Sequence, residues 1–156
     1  MRIERTVTLP VGVDVALQGL VGIHGKELAN FAADATSSGE ALLERSGLAR
    51  LDAANQCHFG AQLGHPVSHD SKRGLQLRWW NDRSRSLTPG FIGELVLGRL
   101  SDQTCELTLA GDYHPRAHLY ELVDRAFLSR MAQAVAAAFL EAIRAHVLEV
   151  IVVNAA

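Results

Sequence analysis

The chain has 156 residues, 48% hydrophobic and 21% charged, which is the balance of one ordinary globular domain and not of a disordered or membrane-embedded chain. Fifteen basic and 17 acidic side chains leave a formal net charge of -2, so no global field draws it to nucleic acid or anionic lipid. The opening MRIERTVTLP has no apolar core of signal-peptide length, and no apolar run is long enough to span a bilayer. A single domain over 1–156 is expected, cytoplasmic and without membrane insertion.

Residues 2–9 alternate as a first strand. Ile3, Val7 and Leu9 share a face with Arg5, and Pro10 and Gly12 end the strand. Asp14 then stands where a cap would open a short helix from Val15 to Val21, closed by Gly22 and Gly25. A second short helix from Lys26 carries Leu28, Phe31, Ala32 and Ala35 on its apolar side. Ser37-Ser38-Gly39 is expected to interrupt it before Ala41, Leu42 and Leu43 resume the pattern. No structure is assigned to Leu48–Gln56.

The middle of the chain reads as strand and turn. Cys57–Leu63 is a weak strand broken by Gly64-His65-Pro66, and Asp70–Gly74 is a polar turn. Leu75, Leu77 and Trp79 alternate with Gln76, Arg78 and Trp80. After the loop DRSRSLTPG, Phe91, Gly93, Leu95 and Leu97 alternate with Ile92, Glu94, Val96 and Gly98. Ser101-Asp102-Gln103 turns the chain into TCELTLAGDY, whose Cys105, Leu107, Leu109, Gly111 and Tyr113 lie on one side, so these two strands should pair as a hairpin. After His114-Pro115, Leu119, Val123, Phe127, Met131, Val135, Phe139 and Ile143 recur every fourth residue, the stripe of one long helix. Thirty such residues span roughly 45 Å at 1.5 Å per residue. The strands are apolar on one face and mostly polar on the other, as in an antiparallel sheet covered on one side. The final helix is the only element long enough to cover it. The expected fold class is α+β, with a curved antiparallel sheet wrapped around a long C-terminal helix and two short helices after the first strand.

The element order and the LTLAGDYHP junction resemble the SRPBCC superfamily, also called START-like or helix-grip, and within it a bacterial polyketide cyclase/dehydrase-like branch. Leu109, Gly111, Tyr113 and Pro115 match the strand-to-helix junction of that branch. Asp124-Arg125, Arg130, Ala132 and the pair Phe139-Leu140 match its helix. Gly39-Glu40-Ala41-Leu42-Leu43, the Trp79 strand and Pro89 match upstream. Arg116 stands in place of a second proline, larger residues within His118–Glu121 replace glycines, and the tryptophan is doubled as Trp79-Trp80. These departures fall at the mouth of the cavity that the resemblance implies.

That resemblance implies a mostly apolar cavity between the concave sheet face and the long helix. The residues read as inward-facing are its candidate ligand-binding lining: Trp79, Phe91, Leu95, Leu107, Leu109, Tyr113, Val123, Phe127 and Met131, unless they pack on one another as core. Arg5 is a further candidate, either meeting a carboxylate or ligand anion inside or reaching water at the rim of the sheet. Tyr113 could orient a carbonyl or act as a general acid, and Asp124 is read as a structural partner of a loop or sheet end.

Other chemistry finds little support. His65/His69 and His114/His118 are spaced by four, but each pair begins beside a proline, where the spacing does not stack the rings, so no metal is expected. Cys57 and Cys105 have no CxxC spacing and read as small buried hydrophobes. No nucleophile elbow or phosphate-cradling glycine pattern appears, and no catalytic residue is assigned. Lys72, Arg73, Arg83 and Arg85 beside Trp80 read as solvated loops. On the wet face, Trp80, Ile92 and Val96 are apolar and offer a surface for a partner or a second copy in a homodimer. The expectation is a non-catalytic carrier or sensor of a small hydrophobic or amphipathic molecule, lipid- or polyketide-like, with no cofactor. The alternatives are a polyketide cyclase/dehydratase-type enzyme and a module that binds a partner through the outer sheet face.

Overall fold

Nine elements follow the alternations of the chain in a computed structural model that describes residues 1–47, 59–81, 88–117 and 119–155. In chain order they are β1 (Arg2–Leu9), α1 (Val13–Val21), α2 (Gly25–Arg45), β2 (Phe59–His69), β3 (Lys72–Asn81), β4 (Thr88–Arg99), β5 (Cys105–Tyr113), α3 (Leu119–Leu122) and α4 (Arg125–Asn154). The strands form one antiparallel sheet in the order β1-β5-β4-β3-β2, so the first strand closes beside the last. The expected β4–β5 hairpin pairs Leu95 with Leu109 and Leu97 with Leu107. One face of the sheet is covered by α4 and α2, and the architecture is the expected α+β, sheet-around-helix arrangement.

Five expectations need correction. Asp14 is not a cap, because α1 starts at Val13 with Gly12 at its N-cap and Asp14 lies in its first turn. The second helix is neither short nor broken, because α2 runs unbroken for 21 residues. Within it the Thr36 and Ser38 hydroxyls donate to the carbonyls of Ala32 and Asp34, so the helix absorbs the polar residues that looked like a break. Gly39 is required there for another reason. A Cβ at that position would stand 2.3 Å from Val135 Cγ2 and 3.1 Å from the Met131 carbonyl oxygen, so its absence lets α2 seat against α4.

The long helix starts later than its apolar period suggests. Leu119–Leu122 is a separate turn, and Asp124 is the N-cap of α4, its carboxylate accepting from Phe127 N at 2.7 Å. The helix continues past the Ile143 end of its stripe through the apolar, β-branched Val150-Ile151-Val152-Val153 and runs to Asn154. Gly64-His65-Pro66 is a bulge within β2 and not its end, since Leu63 pairs with Leu77 and Pro66 with Leu75. Finally, β3 begins at Lys72, which shortens the predicted polar turn to Asp70-Ser71, with Asp70 at a positive φ of 52°. The expected strand residue Cys57 and the basic residues Arg83 and Arg85 lie outside the described residues.

Candidate ligand site at the Trp79–Tyr113 end of the sheet

The strands deliver their inward side chains in cross-strand rungs. Leu75, Leu95 and Leu109 form one, and Leu77, Gly93 and Gly111 form the next. The ring of Phe91 lies over that second rung, because a Cβ at Gly93 or Gly111 would stand 2.6 or 2.7 Å from Phe91 Cζ. Phe91 in turn stacks on Trp79, with centroids 4.5 Å apart, and Phe139 of α4 closes on Trp79 from 4.7 Å. Leu107, Leu109, Met131, Val135 and Phe139 are fully buried. The middle of the sheet–helix interface is therefore packed solid.

Space opens at one end of the interface, beyond the aromatic stack. A cavity of ≈ 200 Å³ lies between Thr36 of α2, the start of β2 at Phe59, the end of β3 at Trp79 and Asn81, and Gly90 of β4. Its remaining wall is the junction Tyr113-His114-Pro115-Arg116-Ala117. The junction is tied down by backbone bonds, His114 N donating to Gly90 O and Tyr113 N to Met1 O, each at 2.8 Å.

A small polar group stands beside this cavity. Glu40 of α2 is buried, and its Oε1 pairs with Arg116 Nε at 2.9 Å. Burial raises the Glu40 carboxyl above the usual carboxylate range, with the Arg116 guanidinium pulling it back. Tyr113 is nearly fully buried next to Thr36 and Glu40, and burial first, then the Glu40 charge, push its phenol well above its ordinary value. The phenol is thus a neutral donor at any physiological pH. The Trp79 indole nitrogen, also buried, has no hydrogen-bond partner among the described residues.

Of the predicted lining, Trp79 and Tyr113 border this cavity. Phe91, Leu95, Leu107, Leu109, Phe127 and Met131 lie in the core, and Val123 is half-buried against it. Arg5 is not part of this cavity's wall. It sits on the edge strand β1 opposite Leu109 but is exposed, as its alternative reading at the rim requires. Asp124 is structural, but as the cap of its own helix and not as the partner of a loop or sheet end. His146, whose Nδ1 lies 3.0 Å from Glu27 Oε1, joins α4 to α2 away from the cavity. Among the described residues no group of three metal-ligating side chains is assembled.

Sequence reasoning missed Thr36, Glu40 and Arg116 as site residues. Their signal was present: on an unbroken α2, Thr36 and Glu40 follow Ala32 at helical spacing, which places a carboxylate on the buried stripe and demands a cation opposite.

The larger hollows are shallower and lie elsewhere. One of ≈ 720 Å³ is a loop-lined groove at the opposite end of the sheet, around Gly12, Asp70, Arg99 and Asp102. Another of ≈ 490 Å³ lies between α2 and β2 beside Trp80. On the outer face Ile92 is about half exposed, but Arg78 covers the Trp80 ring at 5.5 Å and also donates to Gln62. Thr6 and Thr108 pair across the same face at 2.8 Å. The outer face is thus more polar than its apolar residues suggested. No helix is long and apolar enough to cross a membrane.

Among solved structures, a conserved protein from Geobacillus kaustophilus superposes with a TM-score of 0.54 at 10% identity, covering 96% of each chain. The Zhui aromatase/cyclase from a Streptomyces species superposes at 0.44 with 15% identity, over 94% of this chain and 93% of its own. A protein from Thermus thermophilus superposes at 0.41 with 10% identity, over 96% of this chain and 99% of its own. No protein-family model and no curated protein matches the sequence. The Geobacillus likeness extends over nearly the whole of both chains, and at that identity what the two share is a fold.

Proposed function

We propose that the protein is a helix-grip protein of the SRPBCC type that binds a small hydrophobic or amphipathic molecule, as a non-catalytic carrier or sensor. The observation that carries this is the contrast between a solid interface and one cavity bounded by both aromatic and polar groups. Binding sites are typically apolar hollows with a few fixed polar groups, which is the composition here. At ≈ 200 Å³ the cavity is smaller than the roughly 300–1,000 Å³ of pockets for drug-sized ligands, so it favours a compact molecule over a long acyl chain.

Native mass spectrometry of freshly purified protein tests the proposal. A co-purifying compact mass, lost in a Thr36→Trp variant that fills the cavity, is the expected result. A clean apo mass from several expression hosts, with no ligand uptake from cell extract, contradicts it.

One observation favours a second reading as an acid–base enzyme of the cyclase or dehydratase kind. Glu40 with a raised carboxyl pKa and Tyr113 as a neutral phenol stand together beside the cavity, and such perturbed pairs gather at catalytic sites. Turnover of an aromatic or polyketide-type substrate, abolished in Glu40→Gln, would replace the carrier reading with this one.

A further inference from the structure

Trp79 is the most constrained side chain bordering the cavity and the one with an unmet chemical need. Its ring is held between Phe91 and Phe139, so it cannot turn to find a partner. An indole N–H only donates, and here it has no acceptor among the described residues and is closed to water. Leaving such a donor unmet is costly, and the exceptions in native proteins call for an explanation such as an absent ligand.

The backbone beside it is irregular in a way that bears on this nitrogen. Trp79 pairs with Phe91 and Trp80 with Pro89, which makes Gly90 the extra residue of a β-bulge. Bulges re-aim side chains and are common next to functional sites. A Cβ on Gly90 would stand 2.9 Å from Trp79 Cδ1 and 3.0 Å from Nε1, so glycine keeps the indole edge free of a side chain. Both residues border the cavity. Glu40 already pairs with the Arg116 guanidinium, so Arg116 does not call for an anionic ligand.

Building on the ligand-binding reading above, we infer that the cavity takes a compact, neutral, ring-bearing molecule with a carbonyl-type oxygen, and that the Trp79 indole N–H reads that oxygen. The apolar part of the ligand lies against the Trp79–Phe59 side. The oxygen reaches the indole edge at Gly90 when the bulge opens to expose the closed nitrogen.

The test uses four probes on the full chain: acetophenone, ethylbenzene as its oxygen-free counterpart of similar shape, benzoate, and dodecanoate. Affinities are measured by titration, with the two indole N–H resonances followed by ¹⁵N NMR and assigned with Trp80→Phe. Acetophenone is expected to bind about tenfold more tightly than ethylbenzene, the size of one hydrogen bond to a previously unmet donor. It should also shift the Trp79 indole signal downfield. Trp79→Phe should bring the two affinities together. Gly90→Ala, which removes none of the stacked rings and crowds the indole edge, should do the same and so covers the case in which Trp79→Phe fails to fold. Equal binding of ketone and hydrocarbon in the wild type overturns the inference, as does a preference that survives in Gly90→Ala. Tighter binding of benzoate or dodecanoate overturns it too, while leaving the ligand-binding reading standing. If none of the four binds, both fall.

Discussion

The middle of the sheet–helix interface and its Trp79–Tyr113 end share the strands β3, β4 and β5, yet they are packed to different rules. In the middle, Gly93 and Gly111 leave room for the Phe91 ring, Gly39 lets α2 seat against Val135 of α4, and Leu95, Leu107, Leu109 and Phe139 fill the space with apolar side chains. At the end, one rung further along, a phenol, a hydroxyl, a guanidinium held by the Glu40 carboxylate and the residue with the orphan indole donor border a hollow. The first arrangement maximises dispersion contacts and uniqueness of the fold. The second gives up packing and tolerates buried polar groups, a cost that natural domains accept mainly where a ligand or reaction recovers it. A site can therefore be located by where close packing stops, with no motif to mark it.

Substitutions in the two regions should behave differently. Phe139→Ala removes the ring that closes Trp79 against α4, and we expect a loss of about 3–5 kcal/mol in denaturant unfolding. A much smaller loss would mean that the middle is not tightly packed. Gly111→Ala places a methyl 2.5 Å from the Ile92 carbonyl oxygen and 2.6 Å from Gly93 Cα, both backbone atoms that cannot swing away. Its expected cost is about 3 kcal/mol, at the upper end for overpacking.

At the other end the effects should be smaller and depend on pH. Arg116→Gln leaves the buried Glu40 carboxyl without its cation, raising a pKa that burial already lifts. A carboxyl raised in the folded state favours folding below its unfolded value near 4.5, and that contribution is lost as pH rises through the folded value. The variant should therefore be about 1–3 kcal/mol less stable at pH 8 and nearly equal to the wild type at pH 4. A pH-independent difference would show that Glu40 does not depend on Arg116. Asp124→Ala, which removes the cap of α4, should cost about 1 kcal/mol at pH 7. That loss should leave ligand binding unchanged, because the cap lies outside the cavity wall.

Much of the frame was legible in the chain. Period-two alternation fixed which faces of β3, β4 and β5 turn inward, and the four-residue apolar recurrence marked α4 as their cover. The failures have physical causes. Leu119, Val123 and Phe127 keep helical spacing across a real break, so periodicity concealed the cap that Asp124 supplies to Arg125–Asn154. Ser37-Ser38-Gly39 looks like a breaker by propensity alone, but close approach to Val135 outweighed propensity. That error hid Glu40, because a helix interrupted at Ser37-Ser38-Gly39 loses the register that carries Ala32 and Thr36 on to it. Arg5 shows the limit of period two. The pattern names the face a residue points to, but while Ile3 and Leu9 on that face are buried, the long Arg5 side chain reaches water from the edge strand. The size of the cavity had no sequence signal, since it depends on how volumes of distant side chains add.

The central claim is that ligand enters at the Trp79–Tyr113 end and not between the middle of the sheet and α4. The most direct measurement is backbone ¹⁵N chemical-shift mapping of the full chain titrated with acetophenone. The account predicts saturable shifts concentrated at Thr36, Trp79, Asn81, Gly90 and Tyr113, with Leu107, Val135 and Leu95 unmoved. Shifts centred on Leu95, Leu107 and Val135 instead would contradict it.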